Sequence, residues 1–490
     1  MKQPNILLII SDQHRADTMG FRQKVTCKTP NMDRLADEGI SFDRAVTPCP
    51  LCGPARASIF TGKYSHQVRG SLLEDNLGVR SNDNLVETRE TDMMINDSSL
   101  REEPELTNLL KKSGYFTAYA GKWHLGNDII HNWFDRAEGY SNETYIQWAE
   151  VNGLDDAWPL KDFEVRSKRT PHMSIPKTKA SPISPEEGND AWITDIALRL
   201  LEEKPAEKPF FLTCAFNGPH PPFKISEPYY SMYDADAIDE PINFKPGKDE
   251  PQCKNDSFYR ALWQDHGDNW DQWKKTAAVY RGFVTYIDDQ IGRLITELEN
   301  KGLKEDTLII YCSDHGEMLG QHGLWHKMQP YEEALRVPLI VSAPWLKGGL
   351  RSIELASLID IPSTILSAAG ISSPDAYEGR DLLKVFESGK IENREYIFSQ
   401  QKPLGYFHKE VDWRMITGMR YKFVWNRNDA EELYDLAMDS AELNNQANNP
   451  DYDDIRRVLS TQLLSWMKST SDPLFGEAVL QGNIRLQELT

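Results

Sequence analysis

Along the 490-residue chain, short continuous apolar runs alternate with amphipathic segments, and most runs end in a polar or charged cluster. Residues 4–11, Pro-Asn-Ile-Leu-Leu-Ile-Ile-Ser, are followed at once by Asp12-Gln-His-Arg15. A run of this kind, without polar alternation and rich in β-branched residues, predicts a strand buried on both faces of a parallel sheet. The same signature predicts strands over 40–46, 115–120, 209–216, 307–313 and 337–341. Helical periodicity marks 29–39, 105–113, 189–203 and 274–301, the first two expected to close at Gly39 and Gly114.

Strands alternating with helices predict an α/β fold with a large, mostly parallel sheet sandwiched by helices. In such sheets ligands bind outside the carboxyl ends of the strands. Asp12, Lys122, His124, His220, Asp314 and His315 all fall at such ends, which points to a single site. Residues 75–104 read as a surface excursion. The stretch 127–185 is rich in tryptophan, proline and charge and reads as a long lobe over the site, with a second irregular stretch at 224–270. Beyond about residue 380 the pattern shifts to short strands (395–400, 413–418, 421–425, 432–436) and a last helix over 452–469. This divides the chain into a larger, site-bearing domain, 1–380, and a smaller α+β domain with an antiparallel sheet, 381–490.

Composition narrows the partners. With 55 Lys and Arg against 75 Asp and Glu, the formal charge is −20. That balance argues against nucleic-acid binding and against adhesion to anionic membranes, and any anionic substrate needs a locally positive pocket. No run approaches the ~20 apolar residues of a spanning helix. The first apolar run is too short for the core of a signal peptide, so the chain as given is expected in the cytoplasm. It would be periplasmic or secreted if a leader has been removed. Six cysteines do not make a disulfide scaffold at this length. Cys49-x-x-Cys52 leaves open a redox pair or half a zinc site, although no second such pair is present to complete the latter.

The most informative stretch is Cys49-Pro-Leu-Cys52-Gly-Pro54-Ala-Arg56-Ala-Ser-Ile-Phe-Thr61-Gly62. Pro54 suits a first helical turn and Gly62 a helix stop, which puts Cys52 at a helix N-terminus, where an anion is favoured. Arg56 follows one turn on, facing the same end. Asp12 and Asp314 each end an apolar strand. One such carboxylate alone is commonly a helix cap, but two, followed by Gln13 and His315, predict a hard-cation site. Oxygen donors suit Ca²⁺ or Mg²⁺, and the imidazole leaves Mn²⁺ open.

Cys52-x-Pro54-x-Arg56 with Thr61-Gly62 resembles the signature of the type I sulfatases of the alkaline-phosphatase-like superfamily. Three further stretches resemble that family in the same order: Gly121-Lys122-Trp-His124-Leu-Gly126, Gly218-Pro-His220-Pro-Pro222, and Ser313-Asp314-His315-Gly316 through Lys327. The resemblance implies that a formylglycine-generating enzyme oxidises Cys52 to formylglycine, whose hydrate is the nucleophile. It implies that one divalent cation, Ca²⁺ foremost, is held by Asp12, Gln13, residue 52, Asp314 and His315. It also implies that Arg56, Lys122 and Lys327 hold the transferring group, that His124 contacts the hydrate, and that His220 protonates the leaving alcohol. Gln13 stands where an acidic ligand is common and His315 where asparagine is common, which leaves the identity of the metal open.

The implied activity is hydrolysis of a sulfate ester on a small molecule or oligosaccharide, the latter because the long lobes can build a saccharide cleft. Phosphonate monoester or phosphodiester hydrolases, some with the same Asp-His pair, stand as an alternative. So do choline-sulfatase-like enzymes, which resemble Gly323-Leu-Trp-x-Lys-Met328, and a non-catalytic glycan-binding protein with Cys52 unmodified. His66, His322, Trp325 and the tryptophans near 123–158 are candidates for shaping substrate choice.

Overall fold

A computed structural model describes residues 3–22, 27–68, 105–126, 129–154, 178–255, 257–391, 394–403 and 411–481. The main sheet has eight strands: β1 (Asn5–Ser11), β2 (Gly39–Val46), β3 (Phe116–Gly121), β4 (Arg136–Glu138), β6 (Phe210–Ala215), β8 (Thr307–Ser313), β9 (Leu339–Ser342) and β10 (Leu350–Ser357). Their order is β10-β2-β9-β8-β1-β6-β3-β4. A small parallel pair, β5 (Thr178–Ser181) and β7 (Phe223–Ser226), lies apart from it.

Alternate side chains of β1 explain why its sequence shows no polar alternation. Leu7 and Ile9 join one apolar core with residues of the helices Pro30–Asp37, Asn189–Glu203 and Trp270–Asn300. Ile6, Leu8 and Ile10 join the other, with residues of the helices Cys52–Thr61, Glu105–Lys112 and Asp360–Ala368. A strand covered on both faces has no solvent side to mark with polar residues.

The expected strands and helices are present, with differences. The run at 337–341 forms β9, which pairs antiparallel with both β2 and β8, whereas the other pairings in the sheet are parallel. The first helix ends at Asp37 with Glu38 as its C-cap, and Gly39 begins β2 instead of closing the helix. The lobe expected over 127–185 contributes β4 to the sheet edge and a helix at Asn142–Val151. Its residues 155–177, and the expected excursion at 75–104, lie outside the described residues. The stretch 224–270 carries two short helices, Gln252–Asn255 and Phe258–His266, and the long helix starts at Trp270.

A separate antiparallel meander follows: β11 (Ile397–Gln401), β12 (Trp413–Thr417), β13 (Tyr421–Asn426) and β14 (Glu432–Asp435). The helix Asp453–Ser469 packs on it through Leu459, Leu463, Leu464 and Met467 against Ile416, Phe423 and Leu433. No helix among the described residues is long and apolar enough to cross a membrane.

Candidate active site

Four adjacent strands of the sheet, in the order β8-β1-β6-β3, deliver the candidate residues from their carboxyl ends. Asp12 and Gln13 leave β1, Lys122 and His124 leave β3, His220 follows β6, and Asp314 and His315 leave β8. The helix Cys52–Thr61 comes to the same place by its N-terminus. Leu51 is its N-cap, Cys52 its first residue, and Gly62 closes it with φ 66°.

The buried ligand atoms of Asp12, Cys52, Asp314 and His315 all lie within 4.8 Å of one another. Cys52 Sγ is 3.1 Å from His315 Nε2 and 3.6 Å from Asp12 Oδ1. Nδ1 of His315 is 2.9 Å from the Gly316 carbonyl, a contact in which Nδ1 donates and which turns Nε2 toward the group. Gln13 stands beside it in a left-handed conformation, φ 69°, its N–H donating to Asp314 Oδ1 at 3.1 Å.

Arg56 bonds through each of its three nitrogens. Nε donates to Asp314 Oδ2 (2.9 Å), Nη2 to Asp12 Oδ2 (3.2 Å) and Nη1 to the Lys122 carbonyl (2.6 Å). The side chain is fully buried and bridges the two carboxylates. Lys122 Nζ makes an ion pair with Asp12 Oδ2 at 2.7 Å. Lys327 Nζ donates to Cys52 Sγ, Gln13 Oε1 and His220 Nε2, each at 3.0 Å. His220 Nδ1 is 2.5 Å from the Pro221 carbonyl. His124, with φ 62°, hydrogen-bonds Cys52, while its Nδ1 is buried and has no partner among the described residues.

These contacts set the charge states. Burial pushes the Cys52 thiol up, but Lys327, Lys122 and His315 outweigh it and hold the thiol well below its ordinary range. Burial and the Cys52 sulfur act to raise Asp12, yet Lys122, His220 and Lys327 hold it low. Asp314 moves the other way, pushed up by burial and by Asp12. Two buried carboxylates this close favour added positive charge, and the oxygen and imidazole donors around them are those of a divalent-cation site. The residues present therefore fit the cation that the sequence implies.

The two cysteines of Cys49-x-x-Cys52 are both free thiols. Cys49 faces Gln401, at 3.6 Å from its Oε1, and burial pushes it up to about 12. That division of partners does not suit a redox pair.

Sequence reasoning missed Glu317. It is fully buried, its Oε1 accepts the N–H groups of Leu319 and His326 at 2.8 Å each, and its Oε2 accepts from Gln13 Nε2. It thus ties Gln13 to the loop carrying Lys327. That loop is also held by the second sheet, where Trp413 Nε1 donates to the Met328 carbonyl (3.0 Å) and Lys422 Nζ to the Pro330 carbonyl (3.2 Å). A local signal for Glu317 is absent, because its partners are backbone amides and a residue at the far end of the sequence.

Most of the described candidates for substrate choice are buried in packing, and Trp158 lies outside the described residues. The His66 side chain is buried beside Gln400 and Asp472 under the second sheet, and His322 stacks on Tyr331 at 3.7 Å. Trp123 and Trp133 belong to the core, and Trp325 is buried against His326.

A family model described as sulfatase matches residues 4–371, and one for the C-terminal part of N-sulphoglucosamine sulphohydrolase matches residues 320–469. The chain is 30% identical, over 96% of both chains, to the multifunctional alkaline phosphatase superfamily protein PehA of Trinickia caryophylli. It is 27% identical to an N-acetylglucosamine-6-O-sulfatase of Bacteroides thetaiotaomicron, over 99% of this chain and 91% of that one. Among solved structures it is similar to a phosphonate monoester hydrolase from Silicibacter pomeroyi, with TM-score 0.75, 25% identity and 96% of each chain covered. The matched family model spans the strands and loops that build the site, so this chain belongs to the sulfatase family: it is a sulfuric ester hydrolase on the alkaline-phosphatase-like fold.

Proposed function

We propose that this enzyme hydrolyses the sulfate ester of a sulfated carbohydrate, with Cys52 converted by a formylglycine-generating enzyme to formylglycine. The observation that carries this reading is the surroundings of residue 52: it begins a buried helix and is met by Lys327, His315, His124 and Asp12. A hydrated aldehyde there would supply two hydroxyls on one carbon, one to attack and one to drive release. A divalent cation held by Asp12, Gln13, Asp314 and His315 would supply Lewis acidity beside residue 52.

The chain's own groups then divide the work. Lys122 and Lys327 bind the anionic sulfate and stabilise the charge that builds on its oxygens during transfer, where preorganised donors contribute most. Arg56 keeps Asp12 and Asp314 apart and oriented. His220, its Nδ1 fixed on the Pro221 carbonyl and its Nε2 beside Lys327 Nζ, would protonate the leaving alcohol oxygen once Nε2 carries a proton. His124 takes the proton of the second hydroxyl of residue 52, which frees the sulfate. Residues 1–380 carry this machinery and 381–490 buttress it.

The carbohydrate assignment is supported by the relative named as an N-acetylglucosamine-6-O-sulfatase. One observation favours a second reading: His315 in the cation group, together with the likeness to a phosphonate monoester hydrolase. A sulfate monoester and a phosphonate monoester each carry one negative charge, so charge alone does not separate them. Parallel assays on an aryl sulfate and an aryl phosphonate will. Preference for the sulfate, followed by position-specific desulfation in a screen of sulfated sugars, supports the first reading. Preference for the phosphonate overturns it.

A further inference from the structure

Asp190 lies in the first turn of the helix Asn189–Glu203, 2% exposed, and takes no part in the chemistry described above. Its Oδ1 accepts the N–H groups of Asn217 (2.7 Å) and Gly218 (3.2 Å), the two amides that open the turn leading from β6 to His220. That turn is closed by the His220 N–H on the Asn217 carbonyl at 3.1 Å. The Asn217 side chain donates to Asn189 Oδ1 at 2.5 Å, so two consecutive residues of the helix start hold the same turn. On its other side the Gly218 carbonyl accepts the Asp12 N–H at 3.1 Å. A Cβ at Gly218 would lie 2.4 Å from Phe283 and 2.9 Å from Asp190 Oδ2, so only glycine lets the turn sit this close.

An acidic residue in a first helical turn is ordinarily explained by its own helix's N–H groups and dipole. Here the carboxylate instead reaches across to another segment, and a fully buried carboxylate is costly unless its bonds do something.

We propose that Asp190 is a positioning residue that sets the His220 imidazole against the leaving-group oxygen. This rests on the reading that His220 protonates the departing alcohol. If Asp190 acts through His220, its loss weighs most on esters whose leaving group needs a proton, and little on esters whose leaving group departs as a stable anion.

The test compares kcat/KM on phenyl sulfate and on 4-nitrophenyl sulfate, using enzyme with Cys52 converted. In Asp190→Ala and Asp190→Glu, the phenyl ester is expected to slow by about tenfold or more and the nitrophenyl ester by less than about threefold. Asp190→Asn keeps an acceptor at Oδ1 and is expected to restore the ratio of the two rates, which separates position from charge. Should Asp190→Ala fail to fold, Asp190→Glu decides. Equal losses on both esters, or an unchanged ratio, overturn the proposal. His220→Ala is the control. If it shifts the ratio and the Asp190 variants do not, the role of Asp190 alone fails. If it leaves the ratio untouched, the acid assigned to His220 fails, and this proposal with it.

Discussion

Nζ of Lys327 stands 3.0 Å from Sγ of Cys52, although the two residues are 275 positions apart in the chain. Lys327 is 5% exposed, and the Cys52 sulfur and Asp12 hold its ammonium above the ordinary lysine range against the pull of burial. It is therefore a permanent cation beside residue 52, where the proposed mechanism places the sulfate. Lys327→Met keeps the length of the side chain and removes the charge. The expected result is a loss of roughly 100-fold or more in kcat/KM on an aryl sulfate. The melting temperature is expected to fall as well, because the Cys52 sulfur and Asp12 more than offset the cost of burying this charge and lose it in the variant.

Arg56 weighs more heavily on stability. It is the buried counter-charge between Asp12 and Asp314, and its removal leaves two carboxylates facing each other. Arg56→Ala is expected to cost about 3–5 kcal/mol of stability, as for one partner removed from a buried pair. Arg56→Lys should recover little of it, since an ammonium cannot reproduce three bonds from a planar fork. Urea unfolding of the three proteins measures both effects.

The cation reading predicts a stability response. A chelator should lower both activity and melting temperature, and Ca²⁺, Mg²⁺ or Mn²⁺ should restore them, the effective ion identifying the native one. Asp314→Ala should abolish the thermal shift, because it removes one of the four converging donors. An unchanged shift in that variant would move the ion elsewhere.

Asp288 gives a pH dependence far from the site. On the helix Trp270–Asn300, it accepts the N–H groups of Asn31 (3.0 Å) and Met32 (2.8 Å) at the start of the helix Pro30–Asp37. Burial pushes its carboxyl up to about 7, against 3.8 for the ordinary group. The folded chain thus keeps a proton where the unfolded chain has released it. Its contribution to stability is complete below the unfolded value and is lost as pH rises through about 7. Asp288→Asn should flatten the dependence of unfolding free energy on pH by about 1–3 kcal/mol across that window. Unfolding curves at successive pH values test the sign as well as the size.

Much of this architecture can be read from the chain because buried parallel strands leave a strong trace. The runs ending at Asp12, Lys122, His220 and Asp314 are apolar on both faces, so their carboxyl ends, and the site there, follow from pattern alone. Direction is harder. The short apolar run of β9 carries no mark of which way it points, and it runs against its neighbours. Edge strands are harder still. β4 buries only Ala137 of its three residues, and β10 mixes exposed and buried positions, so neither gives a clean period. In the site, Arg56 was legible as a residue one turn after Cys52, but its bridging of Asp12 and Asp314 was not. Glu317 and Asp190 left no trace, because both act on backbone amides that only the folded chain brings near them.

The central claim is that residue 52 works as formylglycine. It is tested most directly by following the mass of the peptide Ala45–Arg56 alongside aryl sulfate hydrolysis, in preparations with graded conversion of Cys52. The account predicts a lighter peptide, consistent with an aldehyde in place of the thiol, and a turnover that rises in proportion to its fraction and vanishes without it. Full turnover from a preparation in which Cys52 remains a thiol would contradict it.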